Sequence, residues 1–441
     1  MDYRLPADFR KLTIRERREM LARIYELTPQ QLDGSGHEEE LLDLADVMVE
    51  SAAGFVPLPL GVAGGVLIDG REYNIPMATE EPSVIAAATY GAKLIARSGG
   101  FTTSIDQPIM TAQVFLEDVP ADRAAAVCGG ASPDAPAAPK ELDALLRSAI
   151  DTMLPGMTAR GGGYRGCDAA LLPETGLLRI QLHIDVRDAM GANILNTAAE
   201  GVKPLLQEYC GGRGFMAILT NDAAYRHARA EFRMPLKSLR RRGIDSSTLA
   251  ERIVRASELA QEDSSRAVTH NKGIMNGVTA LAIATGNDTR GLEAAVHRYA
   301  ARDGRYRGIS HYRIEDDALV GSIELPVPLG SVGGAIGFHP VADMAFRILD
   351  ISSASELGRV AAALGLAQNF AAVSALVSEG IQHGHMRFHA HRLAYQAGAR
   401  DTEIAPVAAG ITETGIFNLE TANRVLQQLR SAGPGSSEAA E

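Results

Sequence analysis

A chain of 441 residues that is 46% apolar and 22% charged has the make-up of a folded globular protein and the length for two or three domains. Its net charge of -11 gives no electrostatic reason to bind a polyanion, so nucleic acid is excluded as a first partner. Three widely spaced cysteines, Cys128, Cys167 and Cys210, argue against a disulfide framework or a zinc ribbon and fit a reducing cytoplasm.

In chain order, the first residues carry Asp2, Arg4, Asp8, Arg10 and Lys11 and lack the apolar core of a secretory signal. Stretches 12–32 and 38–51 have helical apolar spacing with charged opposite faces. The longest uncharged stretch, 51–68, is interrupted by Pro57, Pro59 and glycines and does not read as a membrane helix. It reads as loop and strand passing under a ligand, or equally as a buried connection. Asp69-Gly70 signals a hairpin between Val66-Leu67-Ile68 and Tyr73-Asn74-Ile75-Pro76. An alanine-rich helix then runs from Glu80-Glu81-Pro82-Ser83 to Arg97, with Pro82 in its first turn and Gly99 at its end.

A smaller unit follows the change of composition at 101–108: a strand, a loop at 129–139 rich in Ala and Pro, then helix. Leu178, Ile180, Leu182, Ile184 and Val186 alternate with polar residues, which predicts a half-buried strand. It leads through Asp188-Ala189-Met190-Gly191-Ala192-Asn193 into a helix that Gly211-Gly212 ends. Strands at 214–220 and 226–234 are predicted to complete a small sheet with helices on one side. The pattern is helical again from 246 to 302, then a strand at 318–325, a glycine-rich turn at 330–334, and helices at 341–351 and 354–379. A third unit occupies 380–430, and 431–441 is an expected disordered tail.

Lys272, in His270-Asn271-Lys272-Gly273-Ile274-Met275-Asn276-Gly277, suggests a cation in a partly dry pocket where it would stabilise a developing oxyanion. Such a lysine needs a carboxylate, and Asp288 is the first acid after it in the chain; a structural Lys-Asp pair has the same signature. Glu80-Glu81 at a helix entrance is a candidate proton donor if one acid is drawn into a pocket, although dipole complementarity explains the pair without chemistry. The turn 188–193 places small residues where a helix N-terminus favours phosphate, but it lacks G-x-G-x-x-G, and Asp188 also reads as an ordinary cap. His385 and His389 have the spacing of two metal ligands but no third ligand stands out, so no metal is assigned. A histidine on this terminal segment, with Gly380 and Gly384 as hinges, would serve as a mobile general acid, and a solvated histidine-rich helix is the plainer reading.

Taken in order, Glu80-Glu81-Pro82-Ser83, the 188–193 turn, the lysine segment, Gly286-Asn287-Asp288 and Gly384-His385-Met386 resemble the 3-hydroxy-3-methylglutaryl-CoA reductase family in its soluble prokaryotic class, class II. The resemblance implies an α+β fold. A large, mainly helical substrate domain (1–106 and 222–379) would carry an inserted, small ferredoxin-like, non-Rossmann cofactor domain (107–221) and a C-terminal helical flap (380–430). It implies interconversion of HMG-CoA with mevalonate and CoA by two hydride transfers from NADH or NADPH. Lys272 would hold the carbonyl oxygen, Glu81 would protonate it, Asp288 would link the two, and His385 would protonate the CoA thiolate. Ser83, Arg266 and Asn276 match the substrate site; Asp188, Met190, Gly191, Ala192, Asn193 and Asn221 match the cofactor site. Asp151 suits ribose hydroxyls, while Arg160 or Arg165 suits a 2'-phosphate, and the lean is to NADH. The family implies homodimers or assemblies of dimers, without membrane or nucleic acid. Glu50-Ser51-Ala52-Ala53-Gly54 departs from the family's Glu-Asn-Val-Ile-Gly, near the expected CoA contacts at Leu60-Gly61-Val62-Ala63. The rival readings are a catalytically silent CoA or nucleotide binder of the same fold and a metal hydrolase built on the histidines.

Overall fold

The computed structural model describes residues 5–6, 8–28, 38–128, 139–241, 243–378, 380 and 382–431, the side chains of 10, 38–40 and 382–388 excepted. The expected tail beyond Ser431 and most of the 129–139 loop lie outside the described residues. Strands β1 (Leu60–Ile68) and β2 (Arg71–Ala78) form an antiparallel hairpin in which Ile68 pairs with Arg71. Asp69 at φ 48° and Gly70 at φ 82° make its two-residue turn, the left-handed geometry that an Asp-Gly pair tolerates.

The helix after the hairpin spans Val84–Ala96, so Pro82 precedes it instead of filling its first turn. Ser83 stands at its start with φ 78°, a left-handed conformation that a continuing helix cannot contain.

Strands β3 (Thr102–Ile105), β4 (Ile109–Glu117), β5 (Gly163–Leu171), β6 (Leu178–Asp185), β7 (Arg213–Leu219), β8 (His227–Pro235), β9 (Ser310–Glu315) and β10 (Ala318–Pro326) divide into two four-stranded sheets. One has the order β5-β6-β4-β7 with every neighbouring pair antiparallel. Helix Lys140–Met153 lies between β4 and β5 in the chain, and helix Ala192–Cys210 between β6 and β7. The predicted face of β6, Leu178 through Val186 on alternate residues, is wholly buried against them.

The other sheet has the order β3-β8-β10-β9. This corrects the expectation for 226–234: β8 joins β10 and β3, not the small sheet. Its inward residues Ala228, Ala230, Phe232 and Met234 pack in the main core with helix Ala354–Leu376. That 23-residue helix is, among the described residues, the one long and apolar enough to cross a membrane, and 78% of its apolar window is buried inside the fold. Gly91 lets helix Val84–Ala96 approach it so closely that an added Cβ would stand 2.3 Å from Ala367 O. Helices Gln382–Gln396, Ile404–Thr414 and Leu419–Ser431 share a separate apolar cluster around Val407 and Ile411.

Candidate active site

Lys272 lies on helix Ser264–Ala284, whose N-terminus is capped by the Asp263 carboxylate. His270 and Asn271 point the opposite way and are buried. The His270 ring bonds Ser310 Oγ at 2.6 Å, and Ser310 Oγ and Tyr312 OH both donate to Asn369 Oδ1. Asn271 donates to Arg307 O and accepts from Ile309 N at 3.1 Å. These bonds fix the rotation of the helix and so the face that Lys272 occupies. Burial, then the Arg266 charge, then His311 hold the His270 pKa down to about 4, so the ring is neutral near pH 7. Gly277 allows close approach of helix Ala354–Leu376: an added Cβ would be 3.2 Å from Gln368 Cβ.

Lys272 Nζ donates to Glu81 Oε2 at 2.6 Å. The ion pair joins two of the predicted catalytic residues, 191 positions apart in the chain. The pocket is not dry: the lysine side chain is 58% exposed and the glutamate 35%. Val268 and Ile283 are also exposed on the face that carries Lys272 and Asn276. Arg266 lies on the same helix but acts on His270, away from that stripe. Ser83, two residues beyond Glu81, has a buried Oγ with no hydrogen-bond partner among the described residues. A buried hydroxyl left unpaired is costly, and a ligand acceptor at this place would satisfy it.

Asp288 is not bonded to Lys272. It caps helix Thr289–Ala300, its Oδ1 accepting from Arg290 N and Gly291 N at 3.0 Å each. A Cβ on Gly291 would stand 2.9 Å from Asp288 Oδ2 and 3.2 Å from Asn221 Oδ1, so the acid and the predicted cofactor amide crowd one glycine. Asn287 couples this loop to the next: Gly330 N donates to its Oδ1 at 2.7 Å and its Nδ2 donates to Gly330 O at 3.1 Å.

The 188–193 turn lies against the same loop. Ser331 N donates to Asp188 O, and Ala189 bridges Val332. Asp188 does not cap the helix that follows it; its Oδ1 accepts from Ala354 N at 2.9 Å, at the head of the long core helix. Gly191 starts helix Ala192–Cys210 at φ 108°, with no side-chain cap and no acid in the first turn. The leading N–H groups are thus claimed by no capping side chain, Asn193 is exposed beside them, and the helix end fits a phosphate. Arg165 is held by Asp185 at 2.8 Å, whereas Asp151 accepts only a 3.3 Å bond from Thr158. Arg226, which the motifs left out, donates to Ala189 O in the turn. Its signal was parity: it is in phase with the buried positions Ala228, Ala230 and Phe232.

His385 lies on helix Gln382–Gln396, but its side chain is outside the described residues. His389 is exposed, and no group of three metal-ligating side chains occurs among the described residues. Cys128, Cys167 and Cys210 are all free thiols.

The family model for hydroxymethylglutaryl-coenzyme A reductase matches residues 13–390. The chain belongs to that family. It is 40% identical over 436 residues to the 3-hydroxy-3-methylglutaryl-coenzyme A reductase of Archaeoglobus fulgidus, covering 98% of this chain and 96% of that protein. It is 32% identical to a probable enzyme of the same name from Borreliella burgdorferi, over 97% of this chain and 96% of that one. Among solved structures, the Streptococcus pneumoniae reductase superposes with a TM-score of 0.78 at 40% identity, covering 96% of this chain and 99% of that one. A second structure from that organism, of the class II enzyme bound to NADPH in open conformations, has a TM-score of 0.77 at 39% identity over 84% and 99% of the two chains. The fold is thus the mixed α+β architecture of class II reductases. The chain is a hydroxymethylglutaryl-CoA reductase, an NAD(P)-dependent oxidoreductase of HMG-CoA and mevalonate.

Proposed function

We propose that Lys272, Glu81, Asp288 and His385 carry the reduction of HMG-CoA, and the observation that bears most weight is the 2.6 Å contact of Lys272 Nζ with Glu81, two residues before Ser83 in the chain. A nicotinamide cofactor supplies the two hydrides. Lys272 holds the thioester oxygen, and later the aldehyde oxygen, as negative charge builds on it. Glu81 gives its proton to that oxygen when mevaldehyde becomes mevalonate. His385 protonates the CoA sulfur. Asp288, with Oδ2 outside its capping bonds, completes the network once substrate and cofactor draw the loops together. Each proton transfer contributes about a hundredfold to ten-thousandfold. Ser83 and Asn276 position the hydroxymethylglutaryl portion, and the Arg266 guanidinium, about one and a half turns before Lys272 and off its stripe, takes the free carboxylate at the far end of the substrate.

The domain reading is part of the proposal. The order β5-β6-β4-β7 with two connecting helices is the ferredoxin-like arrangement, and its own apolar cluster supports a cofactor unit at 107–221 within a substrate unit at 1–106 and 222–379. Met190, Gly191, Ala192, Asn193 and Asn221 hold the dinucleotide, with Asp188 behind them. With Asp151 bonded by Thr158 at Oδ1 and no bond to its Oδ2 among the described residues, NADH is placed first; a larger kcat/KM with NADPH would reverse the order. A second copy of the chain covers the open lysine face, and the 380–430 helices close over the ligands. The deciding test is the reduced-nicotinamide absorbance of purified protein mixed with HMG-CoA and either cofactor. Binding of both ligands without any absorbance loss would favour the silent-binder reading.

A further inference from the structure

Arg226 heads the large side chains that are fully buried in the described protein, with 1% of its surface exposed. Among the described residues no carboxylate is hydrogen-bonded to it. Nη1 donates to Ala189 O at 3.0 Å and Nη2 to Leu329 O at 2.5 Å, while Asp188 and Asp185 act through space. Burying a cation on two carbonyls is costly, and an apolar side chain of similar volume would fill the space without that cost. The guanidinium is therefore distinguished by what it bridges.

On one side is the 188–191 turn. On the other is the loop from Leu329, which Asn287 ties to the segment bearing Asp288. The fit at this seam is close: a Cβ on Gly330 would be 2.7 Å from Met190 N. Small movement of either segment would disturb the bonds that Arg226, Asn287 and Ser331 make across it.

We propose that Arg226 is a positioning residue for the cofactor, clamping the 188–191 turn through Ala189 O so that the N–H groups at the head of helix Ala192–Cys210 are aligned for the dinucleotide phosphates. This rests on the reading that the turn holds the dinucleotide. Arg226 touches no ligand, so its effect is on affinity for NADH and NADPH and not on capture of HMG-CoA, whose candidate contacts at Ser83 and Lys272 it does not share.

Calorimetric titration of the full chain tests this with each cofactor and, separately, with HMG-CoA. Arg226→Met is expected to raise the cofactor Kd by at least about tenfold, the loss of charge-assisted bonds. The HMG-CoA Kd should stay within about twofold. Arg226→Lys, which keeps the charge without the fork, should fall between. Unchanged cofactor affinity in a folded Arg226→Met protein, or equal weakening for both ligands, overturns the inference. If that variant does not fold, Arg226→Lys is judged by the same split. Asn193→Asp separates the underlying reading, because an acid in the first helical turn favours the fold but repels phosphate. Wild-type cofactor binding by that variant would overturn the site itself, whereas weakened binding there with unaltered Arg226 variants would overturn only the clamp.

Discussion

Lys272 and Ser83 make opposite demands on a mutational test. Lys272→Ala should reduce kcat by at least about a hundredfold with cofactor Kd nearly unchanged, since it removes charge stabilisation at the carbonyl oxygen. Near-normal turnover in stopped-flow assays would remove the residue from the mechanism. Ser83→Ala should raise the KM for HMG-CoA by about tenfold without lowering the melting temperature, because its buried Oγ has no partner among the described residues to lose. A clear drop in stability with an unaltered KM would mean the hydroxyl is structural. At this scale both Lys272 and Glu81 were legible as candidates, the lysine as a lone cation that needs an acid and the glutamate as one of two acids at a helix entrance. Their pairing with each other instead of with Asp288 was not: Asp288 lies 16 positions from Lys272, but it caps a helix, while Glu81 reaches the lysine across 191 positions.

Among the elements, the contact between helices Val84–Ala96 and Ala354–Leu376 positions Ser83, which opens the first of them. Gly91→Ala should therefore destabilise the protein by about 1–3 kcal/mol and also impair HMG-CoA binding, because the added methyl meets backbone and not a movable side chain. An unchanged denaturant midpoint would show that the helices can separate freely. Strand β6 was legible because five alternating apolar residues specify one buried face, and the hairpin because Asp-Gly suits its turn. β3 was hidden in Thr102-Thr103-Ser104-Ile105, too short and polar for periodicity to register. β8 was recognisable as a strand but assigned to the wrong sheet. Alternation reports a buried face, not which distant strand pairs with it.

For the whole molecule, the buried chain His270–Ser310–Asn369–Tyr312 ties three elements of the main core together, and it is sensitive to acid. His270 has its pKa depressed from 6.5 to about 4, so the unfolded chain binds the proton more readily. Its stabilising contribution is complete above about pH 6.5 and is lost as pH falls toward 4, amounting to about 3 kcal/mol. Urea unfolding at stepped pH checks this, with His270→Gln as comparison; an identical slope in the variant would exclude His270 as the source. Assembly enters at the same scale. On the proposed reading in which a second copy covers the exposed stripe of Val268, Lys272 and Ile283, activity per chain falls when dilution separates the copies. Constant specific activity from a sedimenting monomer would rule out a shared site.

The bond from Asp188 to Ala354 N has a consequence for hydrogen exchange. The leading amides of a helix ordinarily trade protons with water early, lacking a partner in the preceding turn. Ala354 is shielded by a carboxylate delivered from beyond the end of β6, so its deuteration rate gauges whether that seam stays docked. The amide should exchange slowly in the wild type and faster in Asp188→Ala, residue by residue, before any global unfolding is detectable.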